Sequence, residues 1–230
     1  MSYYLNLSVL SNNHNYLQKA EHKKRLSAEA RRILSQYENR PLTNEDIARE
    51  KSGRPFLPGA DTDFSISHSG ALAAVSLVRG KGLRTGCDVE LVRPRAKARE
   101  IAEDLFSAPE REYINAGGDF DLTRFYQIWT LKECFIKLRG LSVFDMGGAP
   151  SFINGEGSYT FGAVDVSPIS FNLYELTVNG GERYIAATAI VGTETEQPEI
   201  RWFSQDSLDC KSMAKIKAAP SPAETVSPKI

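Results

Sequence analysis

Several features are scarce in this chain of 230 residues. It has three cysteines, Cys87, Cys134 and Cys210, with no CxxC pair among them, which leaves no pattern for a disulfide framework or a structural zinc site. Nowhere do about 18 apolar residues follow one another, and the N-terminal MSYYLNLSVLSNNHNYLQKA lacks a basic stretch leading into a long apolar run. The expectation is therefore a cytoplasmic protein with no membrane partner and no export signal. Net charge is also small: 28 Lys and Arg against 29 Asp and Glu leave −1, with the signs mixed along the chain. Such a balance offers no field to gather a polyanion, so nucleic acid is not an expected partner. What is present is 41% apolar residues with 10% aromatics, enough for a core in one large domain or two small ones.

Strand-like and helix-like stretches alternate in two bouts. YYLNLSVL at 3–10 alternates like a strand, and residues 16–37 follow with helical spacing and a basic cluster, Lys23, Lys24, Arg25, Arg31 and Arg32. After the Gly/Pro loop GRPFLPGADTD, the segments FSISHS, ALAAVSLV and RTGCDVE read as a meander of short strands. RAKAREIAEDLF and SAPEREYI read as helices, the second with Ser107 as N-cap, Pro109 in its first turn and Glu110 three residues after the cap. DLTRFYQIWTLKECFIKLRG predicts a helix over 122–139 that Gly140 ends. Candidate strands follow in SFINGEGSYTFGAVDV, SFNLYELTV, RYIAATAIV and EIRWF, and the Pro- and Ser-rich end predicts a flexible tail, drawn from residue 207 to 230. The order implies an α+β protein with antiparallel sheet.

GCDVE at 86–90 sets two acids one residue apart. In a strand Asp88 and Glu90 point to one face while Cys87 and Val89 point to the other. Arg93 and Arg95 could neutralise them at the surface, but exposed pairs contribute about 0 to 1 kcal/mol. The alternative is a hard cation, since Mg²⁺ is commonly held by one or two carboxylates beside phosphate oxygens. On the helix over 122–139, Phe125, Ile128, Trp129 and Ile136 form an apolar arc, with Tyr126, Glu133 and Lys137 on its flank. Glu133 and Lys137, at i and i+4, fit an ordinary helix pair as well as a site. Lys132 falls inside the apolar arc, where it either snorkels or meets an anion. In FSISHSG, Ser67 and His68 could donate to a phosphate, or His68 could be plain surface.

GRPFLP, FSISHSG, GCDVE and FYQIWTLKECFIKLRG stand in the order found in one family. The chain resembles the 4'-phosphopantetheinyl transferases, in particular their large monomeric class, whose pattern is G-hydrophobic-D-x-E followed by W-(S/T)-x-K-E-(A/S/C)-x-x-K. Here the two parts are GCDVE and WTLKECFIK, with Glu133 45 positions after Asp88. The resemblance implies two similar halves, each an antiparallel sheet with packed helices, in a pseudo-twofold monomer divided at 1–107 and 108–206. It also implies transfer of phosphopantetheine from coenzyme A to a serine of an apo acyl or peptidyl carrier protein, with release of 3',5'-ADP. In that scheme Asp88, Glu90 and Glu133 would hold Mg²⁺, or Mn²⁺ in its stead. Glu133 would take the serine proton, itself or through water, and Lys137 would steady or protonate the leaving diphosphate. Arg54, Ser67, His68, Lys132 and Arg25 would contact phosphates of coenzyme A, and Trp129 would wall the groove. Cys87 replaces the family's usual Ile or Val and should lie inert in the core. Arg111, Arg124 and Arg139 are candidates for steering an acidic carrier. The rival expectations are a coenzyme A- or carrier-binding module without transfer, and a Mg²⁺-dependent nuclease; against the latter, Glu90 is followed by Leu91 and Val92 rather than by x-Lys.

Overall fold

The computed structural model describes residues 2–10, 19–161, 169–192, 198–203 and 208–217, with the side chains of 19–23 and 217 excepted. Ten strands are described: β1 Ser2–Val9, β2 Ala48–Arg49, β3 Pro55–Phe56, β4 Thr62–Ser69, β5 Leu72–Arg79, β6 Arg84–Leu91, β7 Ile169–Val178, β8 Glu182–Val191, β9 Glu199–Trp202 and β10 Leu208–Lys217. The helices are α1 Lys19–Glu38, α2 Ala98–Leu105, α3 Ala108–Asn115 and α4 Leu122–Arg139, and a short 3₁₀ turn covers Val143–Gly148.

Two four-stranded sheets result, ordered β4-β5-β1-β9 and β10-β7-β8-β6, plus the small β2-β3 pair. The second is antiparallel throughout; in the first, β9 joins β1 in parallel. β1 shows how a strand serves two layers. Its Leu5 and Leu7 pack with Cys87, Val89, Tyr174 and Tyr184 of the second sheet, while Tyr4 turns to the opposite side, with Leu34 of α1 and Phe64. The far face of the second sheet carries Phe171, Leu173, Ala187 and Ala189 into the cluster built on α4. The layers therefore run helix, sheet, sheet, helix, and the fold is α+β as expected.

The strand pairing corrects three expectations. β6 does not continue the β4-β5 meander but pairs with β8, across 84–91 and 184–191. A division at residue 107 is not the division between sheets, because β6 belongs to the second sheet and β9 returns to the first. Within the stretch 207–230 expected as a tail, residues 208–217 instead form β10, paired with β7 along its length, and 207 and 218–230 lie outside the described residues. Its hydrophobic content, Leu208, Met213 and Ile216, supplies the reason, since Ile216 is buried in the α4 cluster. Of the strand expected over 151–166, the described part contains one bridge, Ile153 to Tyr159, and 162–166 lie outside the described residues.

α4 positions the site and forms where the sequence predicts. Asp121 caps it by accepting from the Thr123 and Arg124 amides, and Gly140 closes it in the left-handed region at φ 67°. It is buried on most sides rather than along one arc: Gln127, Thr130 and Lys132 are buried along with Phe125, Ile128 and Phe135.

Candidate active site

Gly86 is what lets α4 reach β6. A Cβ there would lie 2.6 Å from the Cys134 carbonyl oxygen and 2.9 Å from Leu138 Cβ, so only glycine admits the helix at this height. The close approach brings Glu133 and Lys137 over the strand face that carries Asp88 and Glu90. Cys87 and Val89 point the other way, into the core between the sheets, and burial pushes the Cys87 thiol up, as an inert core cysteine requires.

Asp88 is 3% exposed. Its Oδ1 accepts from Lys137 Nζ at 2.6 Å and from Ser67 Oγ at 2.6 Å, and Lys137 Nζ also lies 2.8 Å from Ser67 Oγ. Its Oδ2 is buried with no hydrogen-bond partner among the described residues. Glu90 is held at both oxygens, Oε1 by Trp129 Nε1–H at 3.1 Å and Oε2 by Ser69 Oγ at 2.7 Å. Trp129, expected as a groove wall, is therefore also a donor to the site, and Arg95 stacks on its ring at 4.5 Å.

The three acids repel one another. Burial, then the Asp88 charge, raises the Glu133 carboxyl to about 7 against the relief that Lys137 gives, and the same two causes raise Glu90. Burial alone would lower the Lys137 ammonium, but Asp88 beside it more than offsets this and holds it above its ordinary value. Among the described residues, no three His, Cys, Asp or Glu side chains form a ready-made metal cluster. The ammonium of Lys137 instead lies where positive charge is needed. An orphaned buried carboxylate oxygen and two acids with raised pKa values nevertheless make a donor set that a hard divalent cation fits.

The other predicted residues divide. Ser67 is in the site, bridging Asp88 and Lys137. His68, on the opposite face of β4, is exposed. Arg54 is buried behind the site: its guanidinium pairs with Asp63 through two bonds of 2.8 and 2.6 Å and donates to the Lys137 and Thr85 carbonyls. It ties β4, β6 and α4 together, and it borders a cavity of about 230 Å³ that also touches Lys137, Gly140 and Leu141. Lys132 is not brought to the site. It is 1% exposed and pairs at 3.1 Å with Glu110, itself fully buried, so neither snorkelling nor reach toward a phosphate describes it. Arg25 lies on exposed α1 and donates to the Leu10 carbonyl at 3.4 Å. Arg111 and Arg124 spend donors on the Phe106 and Tyr113 carbonyls, and Arg139 is exposed.

Sequence reasoning passed over Ser69 and Glu110. Ser69 could have been found from the matched spacing of S-x-S in β4 and D-x-E in β6. Glu110 was legible only as a capping residue; its side chain accepts from the Ser107 amide at 2.8 Å as predicted, and also from the Phe152 amide at 2.9 Å and from Lys132.

The class these features define is a carboxylate and lysine centre held between a strand and a helix of an α+β fold. Residues 84–189, which span β6 through most of β8 and include all of α4, match the family model described as the 4'-phosphopantetheinyl transferase superfamily. The chain is 38% identical over 103 residues to 4'-phosphopantetheinyl transferase AcpT of Escherichia coli O157:H7, covering 44% of this chain and 52% of that protein. It is 35% identical over 125 residues to AcpT of Salmonella typhimurium, covering 54% and 63%, and 32% identical over 112 residues to 4'-phosphopantetheinyl transferase Sfp of Bacillus subtilis, covering 47% and 46%. The chain thus spans about half to three fifths of the length of these curated relatives.

Proposed function

We propose that the protein transfers the 4'-phosphopantetheine group of coenzyme A to a serine of an apo acyl, peptidyl or polyketide carrier protein. The observation that carries this reading is the convergence of Asp88, Glu133 and Lys137, on one face of β6 and one flank of α4, inside a superfamily match whose relatives bear the transferase name. Asp88, Glu90 and Glu133 would hold Mg²⁺, or Mn²⁺ in its stead. When bound, the cation would neutralise charge on the pyrophosphate, an effect worth several kcal/mol in such sites.

The remaining work falls to the chain's own residues. The carrier serine oxygen bonds to the β-phosphorus of coenzyme A while the bond from that phosphorus to the oxygen of 3',5'-ADP breaks. The serine proton passes to Glu133, directly or through water; a carboxyl at about 7 is matched to that task near neutral pH. Lys137, with its ammonium kept charged by Asp88, is placed to steady or protonate the departing diphosphate. Ser67 sits between the two and orients both. His68 and Arg25 are candidates for the 3'-phosphate and its neighbours. Arg54 acts through the carbonyls it holds, and Lys132 through Glu110. The large monomeric subtype and a cytoplasmic site of action belong to the same reading.

Incubating the protein with coenzyme A, Mg²⁺ and a panel of apo carrier proteins, followed by intact-mass spectrometry, tests it. The expected result is a gain of one phosphopantetheine on at least one carrier, absent with EDTA. No gain on any carrier would leave a binding module instead.

A further inference from the structure

β4 and β6 are edge strands of different sheets, and no ladder joins them. Side chains of β4 cap the outward amides of β6 instead, at a constant offset of 22: Asp63 accepts from the Thr85 N–H at 2.7 Å, Ser67 from Val89 at 3.4 Å and Ser69 from Leu91 at 3.0 Å. At Ser69 this arrangement has a chemical consequence. A hydroxyl has one proton, and a backbone N–H can only donate, so the Leu91 amide must occupy a lone pair of Ser69 Oγ. The proton is left for Glu90 Oε2, 2.7 Å away. The other oxygen, Oε1, faces the indole N–H of Trp129, which is likewise donor-only. Glu90 is therefore gripped from two elements, β4 and α4, by an indole that can only donate and by a hydroxyl whose proton is free for the carboxylate while the Leu91 amide holds one of its lone pairs. That fixes the plane of the carboxylate and favours its charged form against the burial that opposes it. Ser67 repeats the device toward Asp88.

We propose that Ser69 is a positioning residue: its hydroxyl, oriented by the Leu91 N–H, clamps Glu90 opposite Trp129 and presents that carboxylate to a divalent cation. The clamp rests on the reading above that Asp88, Glu90 and Glu133 hold the cation. Ser69 touches no reacting atom. Its removal acts on the cation through Glu90 alone, which distinguishes it from the capping of a sheet edge.

The test is Mn²⁺ binding to the full chain without coenzyme A or carrier, read by electron paramagnetic resonance for wild type, Ser69→Ala and Ser69→Thr, with melting temperatures alongside. Loss of an outer hydrogen bond to a ligating group costs about 10- to 100-fold in metal affinity. Ser69→Ala is expected to weaken Mn²⁺ binding by about 10-fold or more, and Ser69→Thr, which keeps the hydroxyl, to restore it. If Ser69→Ala does not fold, Ser69→Cys, which keeps the volume but only a weak donor, is read in its place. A lower melting temperature with unchanged Mn²⁺ affinity in the alanine variant overturns the clamp and leaves edge capping alone. A wild type that binds no Mn²⁺ overturns the cation assignment and the clamp with it, whereas equal binding by wild type and Ser69→Ala removes the clamp only.

Discussion

Glu133 titrates near 7 because burial and the Asp88 charge outweigh the help of Lys137, so its charge is a cost to the metal-free fold. From its ordinary value of 4.5 up to about 7 the native state holds a proton that the unfolded chain has released, so stability contributed at this residue falls as pH rises through that window. Glu133→Gln should therefore be more stable than wild type at pH 8 in EDTA, by about 1 to 3 kcal/mol, with the gap closing toward pH 4.5. Urea denaturation at the two pH values measures this, and equal stability at pH 8 would mean that the carboxylate is not strained. In the carrier assay the same variant should lose transfer, and the two results together mark a group placed for chemistry at the expense of the fold. Lys132 is the opposite case. Lys132→Met removes the cation paired with the buried Glu110 and leaves it only the Ser107 and Phe152 amides, a loss of about 3 to 5 kcal/mol. A phosphate ligand would behave otherwise, with coenzyme A affinity falling and stability unchanged, so thermal melts and calorimetry on this variant separate the two roles.

At the scale of elements, the strand and the helix meet only because residue 86 has no side chain. Gly86→Ala would press a methyl into the Cys134 carbonyl, and the strain of such overpacking is about 1 to 3 kcal/mol. Relief requires α4 to lift from β6, which separates Glu133 and Lys137 from Asp88. The expected outcome is a loss of transfer out of proportion to the loss of stability, seen by comparing kcat with the urea midpoint at a temperature where the variant is fully folded. The elements themselves were legible. The alternation in GCDVE put Asp88 and Glu90 on one face, and the caps at Asp121 and Gly140 set the limits of α4. Which face of α4 meets what was not legible, because periodicity assumes one apolar side, and a helix packed on several sides buries its polar residues too. Lys132 was expected to snorkel or to meet an anion, and the anion proves to be a carboxylate from α3, brought near only by tertiary packing.

The whole molecule depends on pairings that sequence order hides. Sheet order returns β9 to β1 across nearly the full chain length and sends β6 to a partner a hundred residues on, so a reading by consecutive strands does not recover which strands share a sheet. β10 is the clearest instance: a Lys- and Ser-bearing strand next to a Pro-rich end reads as tail, yet it covers the outer edge of β7 from Leu208 to Lys217. Ile216 adds its side chain to the cluster around α4. A chain cut after Ser207 should expose the β7 backbone as a free edge, open that cluster and aggregate. A chain cut after Lys217 keeps every described strand and should match the full chain in melting temperature and in transfer. Size-exclusion chromatography and thermal melts of the two truncations decide the point. Because β7 also carries Phe171 and Leu173 beneath α4, losing its cover should reach the site, so any soluble fraction of the shorter chain is expected to show weakened Mn²⁺ binding as well.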